Sequence, residues 1–192
     1  MQTRLKNRKE QIVDVALDLL QIHGFENFSF LDIANHLSIT KASIHHHFAK
    51  KEDLGVALCA AIQAWHEKAF AAILIEQKSP RQQLDTYING MLRFACGKNK
   101  VCPLSSLQAD INSLPIAMQE SLRQLDEHEL AFVADVLERG REEKEFQFLG
   151  DANAQATVLV LSVKGALQYS RVHGQQLFDH VLAQINILLG SK

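Results

Sequence analysis

The 192-residue chain is predicted to be all-α. Three observations carry this. Apolar residues recur at helical spacing in segment after segment. No stretch sustains the period-two alternation of a half-buried strand. The three prolines, Pro80, Pro103 and Pro115, each fall at a predicted helix start or break. The pattern predicts helices over residues 4–23, 30–37, 41–48, 51–76, 81–97, 103–111, 115–143, 152–172 and 176–189.

The first helix contains IVDVALDLLQIHGF, Ile12–Phe25, and Gly24 stops it. Ser29 then precedes an apolar-periodic run with Asp32 three residues on, a capping-box-like start. Phe30, Ile33, Ala34 and Leu37 lie at i, i+3, i+4 and i+7, one face of a second helix. Ser38-Ile39-Thr40 breaks that face, and Thr40 can cap a third helix in which Ile44 and Phe48 share a side. Two short helices around such a turn form a helix-turn-helix unit. Its second helix enters the DNA major groove and offers N-terminal residues to base edges.

The fourth helix opens on Lys51-Glu52-Asp53, whose acids suit the helix dipole, and is long enough to link a head to the rest of the chain. The fifth, sixth and seventh follow at the prolines. EKEFQFLGD, residues 143–151, reads as a loop with Asp151 as N-cap of the eighth helix. That helix carries Ser162, Gly165 and Ala166 within an apolar face, where a neighbour can approach closely. The ninth presents Phe178, Val181, Leu182, Ile185, Leu188 and Leu189. Both faces fit packing within one subunit or against a second one.

Composition narrows the function. At 47% hydrophobic and 22% charged, the chain can bury a substantial core. The net charge of −2 does not announce a nucleic-acid binder, but its distribution is uneven. Residues 1–51 hold seven Lys/Arg against five acids, and five of the nine histidines. A mildly basic head on an acidic body suits a head that meets phosphates. Cys59, Cys96 and Cys102 are odd in number and form no C-x-x-C pair, which points to a reducing compartment and away from a zinc finger. MQTRLKNRKEQ has no apolar stretch after its charges, so it does not read as a signal peptide. No apolar run approaches the roughly 20 residues of a membrane span. A cytoplasmic protein with no membrane partner, no cofactor and no metal is the expectation.

Residues 12–58 resemble the N-terminal domain of the TetR family of bacterial transcriptional repressors. The first block is IVDVALDLLQIHGF. FSFLDIANHLSIT follows, with Asp32, Ile33 and Ala34 in the family's D-I-A slot. KASIHHHFAKKEDL parallels the family's K-G-T-L-Y-H-H-F-x-S-K-E-x-L. Ser38 stands where the family tends to have glycine, and His45 where it often has tyrosine. KNKVCPLSSLQADI, residues 98–111, resembles the G-C-L-x-x-N-L-x-x-E-L segment of one branch. The resemblance implies a three-helix DNA-binding domain at 1–51 and a helical ligand-binding and dimerisation domain at 52–192. It implies that the last two helices pair with those of a second copy in a homodimer. It implies a repressor, not an enzyme, that leaves a palindromic double-stranded operator when a small-molecule inducer binds.

The expected DNA contacts are Thr40, Lys41, Ala42, Ser43, His45, His46, His47 and Lys51. Lys41 lies in a first helical turn, where the dipole disfavours a cation unless phosphate is near. The three adjacent histidines point roughly 100° apart and cannot chelate one metal together. Arg4, with Thr3 and Lys6, reads equally as an arm along the DNA backbone or as a tail. The expected inducer pocket takes Trp65, Tyr87, Met91, Phe94, Leu107, Gln108, Ile111, Phe132 and Tyr169, and its few polar groups suit an apolar or amphipathic ligand. Cys102 precedes Pro103 at a helix N-terminus near Lys98 and Lys100, a setting that favours thiolate. It reads either as a sensor of oxidants or electrophiles, or as a small core residue. A helical enzyme or an interaction protein with a silent head are the other classes. No nucleophile elbow, phosphate loop or metal-ligand spacing supports an enzyme.

Overall fold

A computed structural model describes residues 7–95 and 100–190, with the backbone alone at 93–95. Among the described residues there are nine helices and no strand. They are α1 (Arg8–His23), α2 (Phe30–Leu37), α3 (Lys41–His45), α4 (Lys51–Glu76), α5 (Pro80–Ala95), α6 (Pro103–Ala109), α7 (Ile116–Glu142), α8 (Ala152–His173) and α9 (Gln175–Leu188). All nine expected helices are present, with shifts at their ends. Residues 4–6, 96 and 97, included in two expected helices, lie outside the described residues.

The chain divides into two compact units. The first comprises Met1–Trp65 and Lys100–Leu125. Its core joins Ile12, Ala16 and Leu20 of α1 to Ile33 of α2, Ile44 of α3, and Leu54 and Leu58 of α4. Leu104 and Leu107 of α6 and Met118 of α7 complete it, although they lie far along the chain. Gly55 gives Met118 its room there: a Cβ on it would stand 2.2 Å from the Met118 sulfur, so that side chain would have to shift. The second unit comprises His66–Asn99 and Asp126–Lys192. Its core gathers Phe70, Leu84, Tyr87, Val133, Leu137, Phe146, Val160, Val163 and Phe178.

Local chemistry explains the boundaries. Asn7 caps α1 in a reciprocal box with Glu10, at 2.9 and 3.0 Å. Gly24 ends α1 at φ +84°, where a Cβ is strained. The third helix is shorter than the expected 41–48. The amides of His47 and Phe48 both donate to the Ile44 carbonyl at 2.9 Å, so the chain tightens into a turn that buries Phe48. Asp151 caps α8 by accepting from the Ala154 amide at 2.9 Å. α4 corrects one expectation. By length and composition it could cross a membrane, since 18 of its residues reach a mean hydropathy of 1.2. Its alanines and leucines outweigh Glu67 and Lys68; Leu54, Leu58 and Ile62 go to the first core and Phe70 to the second.

Candidate DNA interface and effector core

The geometry of the helix-turn-helix begins at the α2 cap. Asp32 accepts from the Ser29 amide at 2.8 Å and hydroxyl at 2.7 Å, and the Ser29 oxygen faces the Asp32 amide at 3.4 Å. These two donors hold the Asp32 carboxyl below its ordinary pKa. α2 then ends on Ser38 in the left-handed region, φ 52° and ψ 45°. The amides of Ser38 and Ile39 return to the carbonyls of the helix end, Ile39 to Ala34 at 3.0 Å. This is the turn where a glycine would be at ease and serine is not. Thr40 caps α3 by accepting from the Ser43 amide at 3.2 Å. Ile44 and Phe48 are buried, so Thr40, Lys41, Ala42, His45 and His46 are left on the exposed side.

A groove of about 410 Å³ opens beside α3, lined by Ser29, Lys41, His45, Lys50, Lys51 and Glu26 among others. Three lysines against one glutamate give it a positive balance. His45 lies edge-on to Phe30 at 5.0 Å, and its Nδ1 donates to the Ala49 carbonyl at 3.3 Å. Lys51 is held more firmly. Its ammonium sits 4.8 Å over the Phe25 ring and 4.7 Å over the Phe28 ring, and donates to the Glu26 carbonyl at 3.4 Å. Burial pushes its pKa down, against the pull of Glu26, Asp110 and Asp32.

The second core contains polar chemistry. Lys164 and Glu129 are both buried, with Nζ 2.6 Å from Oε2, and Asp126 lies 3.8 Å from the same ammonium. The Tyr87 hydroxyl donates to Glu129 Oε1 at 2.9 Å. Around them rings gather on Phe70: Phe132 stacks at 4.1 Å and 7°, His128 at 5.3 Å, and His66 lies at 5.1 Å. Burial pushes the His66 pKa down to about 4, with Glu129 opposing the shift, so the ring is neutral in the folded protein near pH 7. The His128 Nε2 is buried without a hydrogen-bond partner.

Comparison with known proteins places this architecture. The family model described as "Bacterial regulatory proteins, tetR family" matches residues 12–58. A TetR transcriptional regulator from Legionella pneumophila has 28% identity and a TM-score of 0.83, over 97% of this chain and 100% of that one. A TetR-family regulator from Agrobacterium tumefaciens has 28% identity and a TM-score of 0.84, over 90% and 92%. The transcriptional repressor NemR of Escherichia coli K12 is 22% identical over 95% of this chain and 94% of its own. Residues 12–58 are a TetR-family DNA-binding domain, and the chain as a whole has the fold of TetR-family transcriptional regulators. Its helix-turn-helix is α2–turn–α3.

The expected DNA-contact residues of this TetR-family head gather at α3 and the start of α4, except Arg4, which lies outside the described residues. Ser43 and His47 are half-buried; the Ser43 hydroxyl lies 2.9 Å from that of Thr40. The expected inducer residues are divided between the two units. Tyr87, Met91 and Phe132 share the second core. Leu107 and Ile111 belong to the first, because α6 packs on α1, and Gln108 is half-buried. Trp65 is 49% exposed. Tyr169 is 63% exposed, because it shares the outer face of α8 with Leu161 and Gly165. The Phe94 side chain lies outside the described residues. Cys102 is a half-buried cysteine at the start of α6, and Lys100 near it pairs with Asp18 at 2.5 Å; Lys98 lies outside the described residues. Sequence reasoning missed His66, His128, Glu129 and Lys164. Isolated polar residues in a helical sequence look solvent-exposed until their partners are known.

Proposed function

We propose that the protein is a homodimeric repressor. Each copy places α3 in the major groove of one operator half-site, and a small, largely apolar ligand with a polar group releases the complex. The observation that carries this is the capped α2–turn–α3 unit, whose exposed side presents Thr40, Lys41, Ala42, His45 and His46 beside a lysine-lined groove. Dimer formation is supported by the outer face of α8 and α9. Leu161, Tyr169, Ile187 and Leu188 are each at least half exposed there. A Cβ on Gly165 would meet nothing within 4 Å. That surface is apolar and open, as a self-complementary interface requires. The ligand reading is supported by the second core, where Tyr87, Glu129 and Lys164 place polar anchors among aromatic rings.

The test is fluorescence anisotropy with duplex DNA enriched from a random pool by the protein itself. Affinity should fall steeply with salt. Lys41→Ala should weaken all duplexes alike and lower the salt slope by about one. His46→Ala should change preference among duplexes, by ~1–3 kcal/mol for a base contact. Salt-independent binding, or none, would reject the DNA reading.

A second reading is release by thiol modification at Cys102. The half-buried position of Cys102 just before Pro103, at the N-terminus of α6, favours it. Mild oxidant would then release DNA from the wild type and leave Cys102→Ser bound; equal release from both would reject it.

A further inference from the structure

The first unit contains a carboxylate that the DNA-contact surface does not explain. Asp110 stands 85 residues along the chain from Phe25, on the turn after α6. Its Oδ2 accepts from the Phe25 amide at 2.7 Å. A Cβ on Gly24 would stand 3.0 Å from the same oxygen. Glycine at this corner therefore serves two needs: the φ of +84° that ends α1, and the close approach of Asp110. Asp110 itself is anchored at the end of α6, where its carbonyl accepts from the Ser113 amide and hydroxyl, both at 2.9 Å.

The rest of this region is stitched to α1 as well. Ser106 Oγ donates to the Leu20 carbonyl at 2.8 Å. Gln21 Nε2 donates to the Val101 carbonyl at 3.1 Å, and the Val101 amide donates to the Gln21 carbonyl at 2.9 Å. Asp110 differs from these because it grips residues beyond α1. Phe25 is the first residue of the segment that leads to the α2 cap. Its ring, with that of Phe28, carries the Lys51 ammonium. Asp110 also draws on that ammonium through its charge. One side chain thus holds the entry to the helix-turn-helix by its backbone and the start of α4 through the aromatic pair.

We infer that Asp110 is a positioning residue for DNA binding: its carboxylate fixes the α1–α2 corner, and with it Lys51, in the arrangement that presents α3. A carboxylate is repelled by phosphate, so Asp110 acts through Phe25 and Lys51 rather than by touching DNA. The inference rests on the DNA-binding reading of α3.

The experiment compares wild type, Asp110→Ala and Asp110→Asn by anisotropy on the duplex enriched by the wild type, well below the melting temperature. Hydrogen exchange at the Phe25 amide is followed in parallel. Asp110→Ala should bind about tenfold more weakly, a shift of ~1.4 kcal/mol. Its salt slope should fall by no more than about one, because Lys51 is the one phosphate contact that Asp110 helps to place. Its Phe25 amide should exchange faster. Asp110→Asn keeps an acceptor oxygen and should restore most of the affinity. A folded Asp110→Ala that binds like the wild type would overturn the inference. So would weaker binding with unchanged exchange at Phe25. If Asp110→Ala does not fold, Asp110→Asn decides alone: near-wild-type affinity supports the hydrogen bond, and a tenfold loss overturns it. Failure of the wild type itself to bind any duplex would instead reject the DNA reading.

Discussion

Removing Glu129 should destabilise the second unit more than a typical core substitution. The carboxylate is 3% exposed, 2.6 Å from the Lys164 ammonium, and accepts the Tyr87 hydroxyl at 2.9 Å. At an effective dielectric of about 20, two unit charges that close attract by roughly 6 kcal/mol. Most of that attraction offsets the cost of taking both ions out of water, so the intact pair adds little net stability. The asymmetry appears when one partner goes. In Glu129→Leu the Lys164 ammonium remains buried with its longer contact to Asp126 at 3.8 Å, and the Tyr87 hydroxyl loses this acceptor. Breaking a buried pair in this way costs about 3–5 kcal/mol. For a chain of this size the melting temperature should fall by ~6–20 °C, at ~2–4 °C per kcal/mol. The assay is thermal unfolding by circular dichroism at one protomer concentration, because association alters apparent stability. The double variant Glu129→Leu/Lys164→Met supplies the control. With both charges gone the penalty should largely disappear. A Glu129→Leu protein within about 1 kcal/mol of wild type would refute the reasoning, as would a double variant no more stable than the single one.

His66 makes stability depend on pH. Burial lowers its folded pKa from 6.5 to about 4, so the unfolded chain binds a proton that the folded one refuses. The contribution is complete above pH 6.5 and is lost as pH falls toward 4, at up to about 1.4 kcal/mol per pH unit. His66→Phe should therefore lose less stability between pH 7 and pH 5 than the wild type, and equal losses by urea unfolding would show that the ring does not titrate this way. Gly165→Glu adds a charged side chain where a Cβ meets only open space in one chain. It should fold, sediment as a monomer and bind operator poorly; a dimer of normal affinity would move the interface off α8.

Local chemistry made much of this protein legible in its sequence. The α2 cap at Ser29–Asp32, the break at Ser38, the Thr40 cap and the Asp151 cap depend on residues within three or four positions, so reading along the chain finds them. The helical period assigned Ile33, Ala34, Ile44 and Phe48 to the interior, and thereby left Lys41, His45 and His46 on the exposed side. The resemblance to TetR regulators rests on these same local features. The C-terminus of α3 was less legible, because the burial of Phe48 and the tight turn around Ile44 are settled by packing.

Only the tertiary structure decided what lies together across long separations. An aromatic or apolar residue at helical spacing identifies a buried face but not which core receives it. Leu107 and Phe132 looked alike in the sequence, yet α6 joins the first core and the middle of α7 the second. Trp65 and Tyr169 are large enough for a ligand box, but their helix faces leave them exposed. The pair of Glu129 with Lys164 spans 35 positions, and that of Asp110 with Phe25 spans 85. Asp110 stands in the acidic slot of the 98–111 segment, the one sign available beforehand. Sequence specifies the helices because their hydrogen bonds and caps close locally. Buried charge pairs and long-range hydrogen bonds are decided by folding, because each polar group acquires its meaning from a partner that the chain order does not name.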